Sequence, residues 1–115
     1  MKDYAFRDVE PFPHIGIHYA LLEHIAAAKT EKEKEYLCRK DVSIYPDFCE
    51  EWEIQSPKTP IPRYPSFKTL AILYEKSGRI DEAIEICKEA IRAGAVNDGT
   101  KGGMEARLKK LQAKR

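Results

Sequence analysis

Two histidines near the start of the chain have the spacing of metal ligands. His14 and His18 are four residues apart, so a helix would place both on one face, where an HxxxH pair can bind a metal ion. The segment lacks the glutamate of the HExxH pattern, and spacing fixes no third ligand. We therefore favour ordinary packed or surface histidines and keep metal binding as the alternative.

The cysteines and the acidic run before the middle of the chain predict no chemistry. Cys38, Cys49 and Cys87 show no CxxC pairing and no disulfide framework, and Cys87 has the spacing of a small buried side chain. The carboxylates of residues 50–53 are adjacent and would point in different directions on a helix, whereas acid–base catalysis needs convergent groups. We predict no catalytic residues, no cofactor and no metal site.

A glycine-rich stretch, residues 99–103, precedes the last helical pattern. It lacks the GxxxxGK[ST] spacing of a phosphate-binding loop, and no strand pattern comes before it. We predict a flexible start to a C-terminal helix, with a weak anion site at the helix N-terminus as the alternative. From Lys101 onward the chain has six basic residues and one acidic residue.

The strongest helical pattern lies in the second half of the chain. Ser66 is a plausible N-cap, Ser77 and Gly78 stop a first helix, Asp81 restarts the chain as cap or first-turn anion, and Gly94 ends a second helix. Two helices joined by so short a turn must be antiparallel. Their apolar stripes are Phe67, Leu70, Ala71 and Tyr74 in the first, and Ala83, Ile84, Cys87, Ala90 and Ile91 in the second.

Residues 64–95 resemble one helix hairpin of a tetratricopeptide repeat (TPR). Cys87 replaces a usual aromatic residue, and Ala95 replaces a usual proline. The resemblance implies an all-α scaffold that binds proteins or peptides and performs no chemistry itself. The motif positions that match in register are Phe67, Leu70, Ala71, Tyr74, Gly78, Ala83 and Ala90.

A degenerate repeat is one interpretation of the upstream residues. Residues 44–52 resemble a junction between two repeats, in which Pro46 ends one unit and Trp52 fills the aromatic position of the next. Lys34 and Asp41 then occupy positions meant for alanine, so an unrelated helix pair is the alternative. Four prolines between residues 57 and 65 forbid a regular helix there.

The elements together predict a single all-α domain over residues 1–115, a small antiparallel bundle of five helices. Residues 1–12 are predicted to be extended, and Thr30 with Glu33 forms a capping box that starts the second helix. The predicted parts are an N-terminal helix pair at 14–52, a Pro-rich linker at 53–65, the TPR-like hairpin at 66–94 and a capping helix at 100–114.

Composition is that of an ordinary globular protein, with 43% hydrophobic and 34% charged residues. No apolar run is long enough to span a membrane, and the N-terminus lacks the apolar segment of a signal peptide. We expect a cytoplasmic protein with free thiols and no membrane association.

The TPR resemblance also implies a function and a surface. We predict a non-catalytic module that binds a protein or peptide partner, with lysines meeting carboxylates of the partner and an isoleucine supplying apolar contact. Nucleic-acid binding through the basic C-terminal helix is the first alternative, although that helix has no aromatic residue. A small metal protein is the second, and a homodimer is left open. The implied partner-binding residues are Lys68, Ile72, Glu75 and Lys76, extended by Arg63 and Tyr64.

Overall fold

The computed structural model describes residues 11–115, so the extended conformation predicted for residues 1–12 lies almost wholly outside the described part of the chain. Those residues form helices and no strand, which confirms the all-α prediction. None of the described helices combines the length and the apolar character needed to cross a membrane. The helices are α1 (Pro13–Ala27), α2 (Glu31–Ser43), α3 (Tyr45–Gln55), α4 (Pro65–Lys76), α5 (Ile80–Arg92) and α6 (Gly103–Ala113).

Residues 11–115 contain six helices where five were predicted for the chain, because α3 was not recognised. Pro46 was expected to end a unit, but it lies in the first turn of α3. A proline is well tolerated there, since the first-turn N–H that it lacks has no partner inside a helix. Trp52 does not open a further helix. It lies in the last turn of α3, and its indole N–H donates to the Thr59 carbonyl at 3.0 Å.

Side chains cap the first two helices. Thr30 Oγ1 accepts a hydrogen bond from the Glu33 N–H at 3.0 Å, as the capping box predicts, while the Glu33 carboxylate accepts from the Lys29 N–H. The start of α1 has no cap of its own. Glu51 of α3 takes that role, because its Oε1 accepts from the N–H groups of His14 and Ile15 at 2.8 and 3.2 Å.

The hairpin of α4 and α5 follows the predicted stops, with one correction at its start. Gly78 and Gly94 adopt φ angles of +77° and +86°, the left-handed conformation that closes a helix end. Asp81 lies in the first turn of α5. The prediction for Ser66 was wrong, because Pro65 begins α4 and the buried Ser66 side chain bonds to α2 instead.

The helices share a hydrophobic core. α4 packs against α2 and α5, α5 packs against α6, and α1 packs against α2 and α3. Ala71, Ala83 and Ala90 are buried, which agrees with close approach of α4 and α5. Every helix contributes to this core, through residues such as Leu21, Cys38, Phe48, Leu70, Ile84 and Met104.

Candidate functional site

Helices α2 and α4 form an antiparallel pair whose two ends are fixed by polar contacts. Asp41 near the end of α2 meets Ser66 at the start of α4, while Glu35 near the start of α2 meets Tyr74 near the end of α4. Residue numbers therefore rise in opposite directions along the two helices. We call the contacts at these two ends the Asp41 cluster and the Glu35 cluster.

The Asp41 cluster consists of His18, Asp41, Tyr64 and Ser66. The Ser66 hydroxyl donates to Asp41 Oδ2 at 2.6 Å, and His18 Nδ1 lies 2.8 and 3.0 Å from the two carboxylate oxygens. The Tyr64 hydroxyl lies 2.7 Å from the Asp41 backbone oxygen and 2.9 Å from Oδ1. One buried carboxylate thus joins α1, α2 and the start of α4.

Aromatic rings enclose this cluster and keep water away from it. The His18 ring stacks on Tyr64 with centroids 4.1 Å apart and meets Phe48 edge to face. His18 and Asp41 are 1% and 0% exposed. Burial raises the pKa of the Tyr64 hydroxyl, and the negative charge of Asp41 raises it further. The enclosed donors and acceptors hold α1, α2 and the start of α4 together.

The Glu35 cluster consists of Glu35, Arg39, Tyr74 and Arg79. Arg79 forms a two-pronged contact with the Glu35 carboxylate, at 2.9 and 3.1 Å. The Tyr74 hydroxyl donates to Glu35 at 2.9 Å and accepts from Arg39 Nε at 3.0 Å. Both guanidinium groups lie over the Tyr74 ring, Arg79 at 4.5 Å and Arg39 at 5.5 Å from its centroid.

Charge complementarity keeps Glu35 ionised. The Arg79 hydrogen bonds are the largest influence and lower the pKa of the Glu35 carboxyl, against the opposing effect of burial. The Tyr74 hydroxyl lowers it further. Glu35 therefore links the α4–α5 turn, through Arg79, to α2 at neutral pH.

Between α2 and α4 runs an open cavity of about 250 Å³, which we call the α2–α4 groove. Leu73 and Ile72 are its apolar surface, the first buried and the second half-buried. No carboxylate of residues 11–115 lies within ion-pairing distance of Lys34 or Lys76. The residues that line the groove are Glu31, Lys34, Thr69, Ile72, Leu73 and Lys76.

The structure separates the residues that the TPR resemblance assigned to one surface. Ile72 and Lys76 line the α2–α4 groove, and Lys68 lies one turn before Ile72 on α4, outside the groove lining. Glu75 faces α6 and forms an ion pair with Lys114.

The upstream extension of that surface lies elsewhere. Arg63 lines a second cavity, of about 350 Å³, between α3 and the segment that follows α5. Tyr64 is only 4% exposed and belongs to the Asp41 cluster, outside the lining of the α2–α4 groove.

The α2 side of the groove was not predicted. Glu31 and Lys34 were not among the partner-binding residues that the TPR resemblance implied. The sequence contained a signal for the position of Lys34. This residue is four residues before the apolar Cys38 and therefore shares the packed face of α2. The same argument places Asp41 there, in a position that the repeat pattern reserves for a small buried residue.

The other candidate ligands and nucleophiles are occupied or buried. His14 contacts Glu51 through Nδ1 and lies 3.7 Å from Asp47 through Nε2. Burial raises the pKa of the Cys38 and Cys87 thiols to about 11, which disfavours the reactive thiolate. No group of three or more His, Cys, Asp or Glu side chains suited to a metal ion occurs in residues 11–115.

No protein-family model matches this chain, and no curated protein or solved structure matches it either. The structure by itself defines a small all-helical protein, with helices that pack as a bundle. The resemblance of residues 64–95 to a tetratricopeptide repeat rests on the motif residues of the sequence.

Proposed function

We propose that the protein is a non-catalytic interaction module with a TPR-like hairpin, which binds an acidic segment of a protein or peptide in the α2–α4 groove. The observation that carries the proposal is the composition of this groove. It combines an apolar surface at Ile72 and Leu73 with two ammonium groups, Lys34 and Lys76, that no described carboxylate neutralises. A ligand segment with one apolar side chain between carboxylates matches this surface.

The size of the groove favours a peptide side chain over a small molecule. Its volume of about 250 Å³ is below the range of roughly 300–1,000 Å³ typical of small-molecule pockets. It is also open along the two helices, whose separation is set by the Asp41 and Glu35 clusters at either end. Walls fixed before binding reduce the entropy lost on binding.

The net positive charge of the groove favours acidic ligands. Lys34 and Lys76 outweigh the single carboxylate of Glu31, and Lys68 adds a further positive charge one turn away. Exposed ion pairs contribute only about 0.2–1 kcal/mol each, so contact with Ile72 must supply much of the affinity. We therefore expect lysine substitutions to change selectivity and association rate as well as affinity.

The basic helix α6 supports the alternative, nucleic-acid binding, less well. Arg107, Lys114 and Arg115 are held in ion pairs with Asp98, Glu75 and Asp81 respectively. The helix has no aromatic side chain on which a base could stack.

A site-specific cross-linking experiment tests the location of partner binding. A photoreactive phenylalanine analogue is placed at position 72 in one protein and at position 36 in another. Tyr36 is 63% exposed and lies about 200° around α2 from Lys34. We expect a defined protein to be captured from the native host only through position 72. Capture through position 36 alone would assign the partner to another surface.

Binding of the captured partner's acidic peptide then tests the groove directly, by fluorescence anisotropy. Lys34→Glu/Lys76→Glu should weaken binding by about twentyfold, since each reversed charge removes at least one exposed ion pair. The control Lys58→Glu/Lys109→Glu makes the same change in net charge away from the groove, at exposed positions. Equal weakening by both pairs would show that binding follows net charge and would refute the groove.

A further inference from the structure

A third cavity lies outside the α2–α4 groove, between the end of α4, the segment before α6, and α6 itself. Its volume is about 360 Å³, within the range of roughly 300–1,000 Å³ that small ligands occupy. We call it the α6 pocket. The polar residues that line it are Glu75, Thr100, Lys101, Arg107, Lys110 and Lys114, and the remaining lining residues are Gly103, Ala106 and Leu111.

The charge of the α6 pocket is strongly one-sided. Four cationic side chains line it, against the single carboxylate of Glu75. An ion pair with Asp98 compensates the charge of Arg107, and an ion pair with Glu75 compensates the charge of Lys114. Lys101 and Lys110 have no carboxylate of residues 11–115 within ion-pairing distance, so two positive charges remain without a counter-charge.

One wall of the pocket is held in a fixed shape. The buried Asp98 carboxylate accepts hydrogen bonds from the Thr100 N–H and from Arg107 Nε, each at 2.9 Å. Burial opposes the ionisation of Asp98, but these hydrogen bonds prevail and lower the pKa of its carboxyl. Arg107 is thereby fixed against the segment that carries Lys101.

Two glycines fix the shape of the chain at the start of α6. Gly102 and Gly103 have φ angles of +82° and +59°, and the Met104 N–H donates to the Val96 carbonyl at 2.8 Å. A side chain at Gly103 would come within 2.2 Å of the Val96 oxygen, so glycine is required for this turn. No side chain caps the helix N-terminus, where the helix dipole is positive.

We propose that the α6 pocket binds a small ligand that carries two or more phosphate groups. Two uncompensated cations, Lys101 and Lys110, lie around one cavity together with Arg107 and Lys114, and this arrangement matches a ligand with closely spaced negative charges. Ala106 and Leu111 offer an apolar surface to the body of such a ligand. This site is separate from the α2–α4 groove, because no residue lines both cavities.

Calorimetry with inorganic pyrophosphate, at low ionic strength, tests the proposal. We expect pyrophosphate to bind more tightly than orthophosphate, because two phosphate groups reach more cations. Lys101→Ala and Lys110→Ala should each weaken pyrophosphate binding by about fivefold, the change expected for one exposed ion pair. Glu75→Gln removes the only carboxylate of the pocket and should strengthen binding by a similar factor.

The matched control is Lys109→Ala, which removes an exposed lysine next to Lys110 that does not line the pocket. Its affinity for pyrophosphate should be unchanged. Equal weakening by Lys109→Ala, or no change with Glu75→Gln, would overturn the assignment to this pocket. A 20-nucleotide single-stranded DNA serves as comparator. If it binds and pyrophosphate does not, the basic helix is a nucleic-acid surface and the small-ligand proposal is refuted.

Discussion

The two interfaces of α4 are held together by different physical means. Against α5 it packs with small and apolar side chains, among them Ala71 and Ala83. Against α2 it relies on two buried or half-buried polar clusters around Asp41 and Glu35. The same short helix therefore has one face stabilised by close packing and another by hydrogen bonds.

This difference has consequences for how each interface tolerates change. An apolar interface loses free energy in proportion to the volume or contact removed, and neighbouring side chains partly relax. A buried polar cluster fails more abruptly, because removal of one partner leaves other donors without acceptors. We expect the loss of a shared acceptor at the α2–α4 interface to lower the free energy of unfolding more than a single substitution between α4 and α5 does.

The largest effect is expected at Asp41. Asp41→Ala leaves His18 and Ser66 without their shared carboxylate, and should lower the free energy of unfolding by about 3–5 kcal/mol. Urea unfolding followed by circular dichroism measures it. Ser66→Ala, which removes one donor only, should cost about 1 kcal/mol.

A double-mutant cycle sharpens this prediction. The combined Asp41→Ala/Ser66→Ala protein should be more stable than the sum of the two single effects predicts, because Ser66 has already lost its acceptor. Simple additivity would show that the hydroxyl and the carboxylate are not coupled, and the polar account of this interface would fail.

The apolar interface is tested at Ala83, which is 0% exposed between α4 and α5. Ala83→Leu should overpack this contact and lower the free energy of unfolding by about 1–3 kcal/mol. Ala20→Leu, at an exposed position of α1, is the control and should stay within about 0.5 kcal/mol of the parent. An unchanged melting temperature for Ala83→Leu would mean that the hairpin has room at its centre.

Asp98→Asn tests whether hydrogen bonds to a buried carboxylate also stabilise the segment before α6. Asp98→Asn should cost about 1–3 kcal/mol near neutral pH, since it weakens hydrogen bonds to a charged group that is 2% exposed. The pKa of Asp98 is lower in the folded protein than in the unfolded chain, where it is about 3.9. The contribution of ionised Asp98 to the free energy of unfolding is therefore complete above about pH 3.9. It is lost as the pH falls through the pKa of the folded state.

The pH dependence is the measurement that separates this explanation from a packing effect. In urea titrations the stability difference between the parent protein and Asp98→Asn should be constant above about pH 5 and should shrink as the pH falls below about 3.9. A difference that stays constant as the pH falls below about 3.9 would indicate that the charge of Asp98 is not responsible.

The smallest expected effect is at the start of α2, the helix that carries both clusters. Thr30→Ala removes the acceptor for the Glu33 N–H and should cost about 1 kcal/mol. Thr59→Ala, in the exposed segment after α3, is the matched control and should have almost no effect. If Thr30→Ala costs as little as the control, the capping box contributes nothing to the placement of α2.

The sequence was informative for the hairpin because its pattern is local. The stripes around Leu70 and Ile84, and the glycines that end each helix, are separated by only a few residues. Capping by Thr30 was predictable for the same reason.

The α2–α4 interface was not predictable, since its members are 23 to 39 residues apart in the chain. A lone charged residue such as Asp41 is usually exposed, and only the fold brings His18 and Ser66 to it. The existence of α3 was missed because Pro46 was interpreted as a helix stop, although proline suits a first turn equally well.

The capping of α1 by Glu51 provides a natural probe of motion. The amide protons of His14 and Ile15 are bonded to a carboxylate that belongs to α3, 36 and 37 residues away. They can exchange with solvent whenever α3 separates from α1, even while α1 itself remains helical. Their deuterium-exchange rates therefore report the opening of the α1–α3 helix pair.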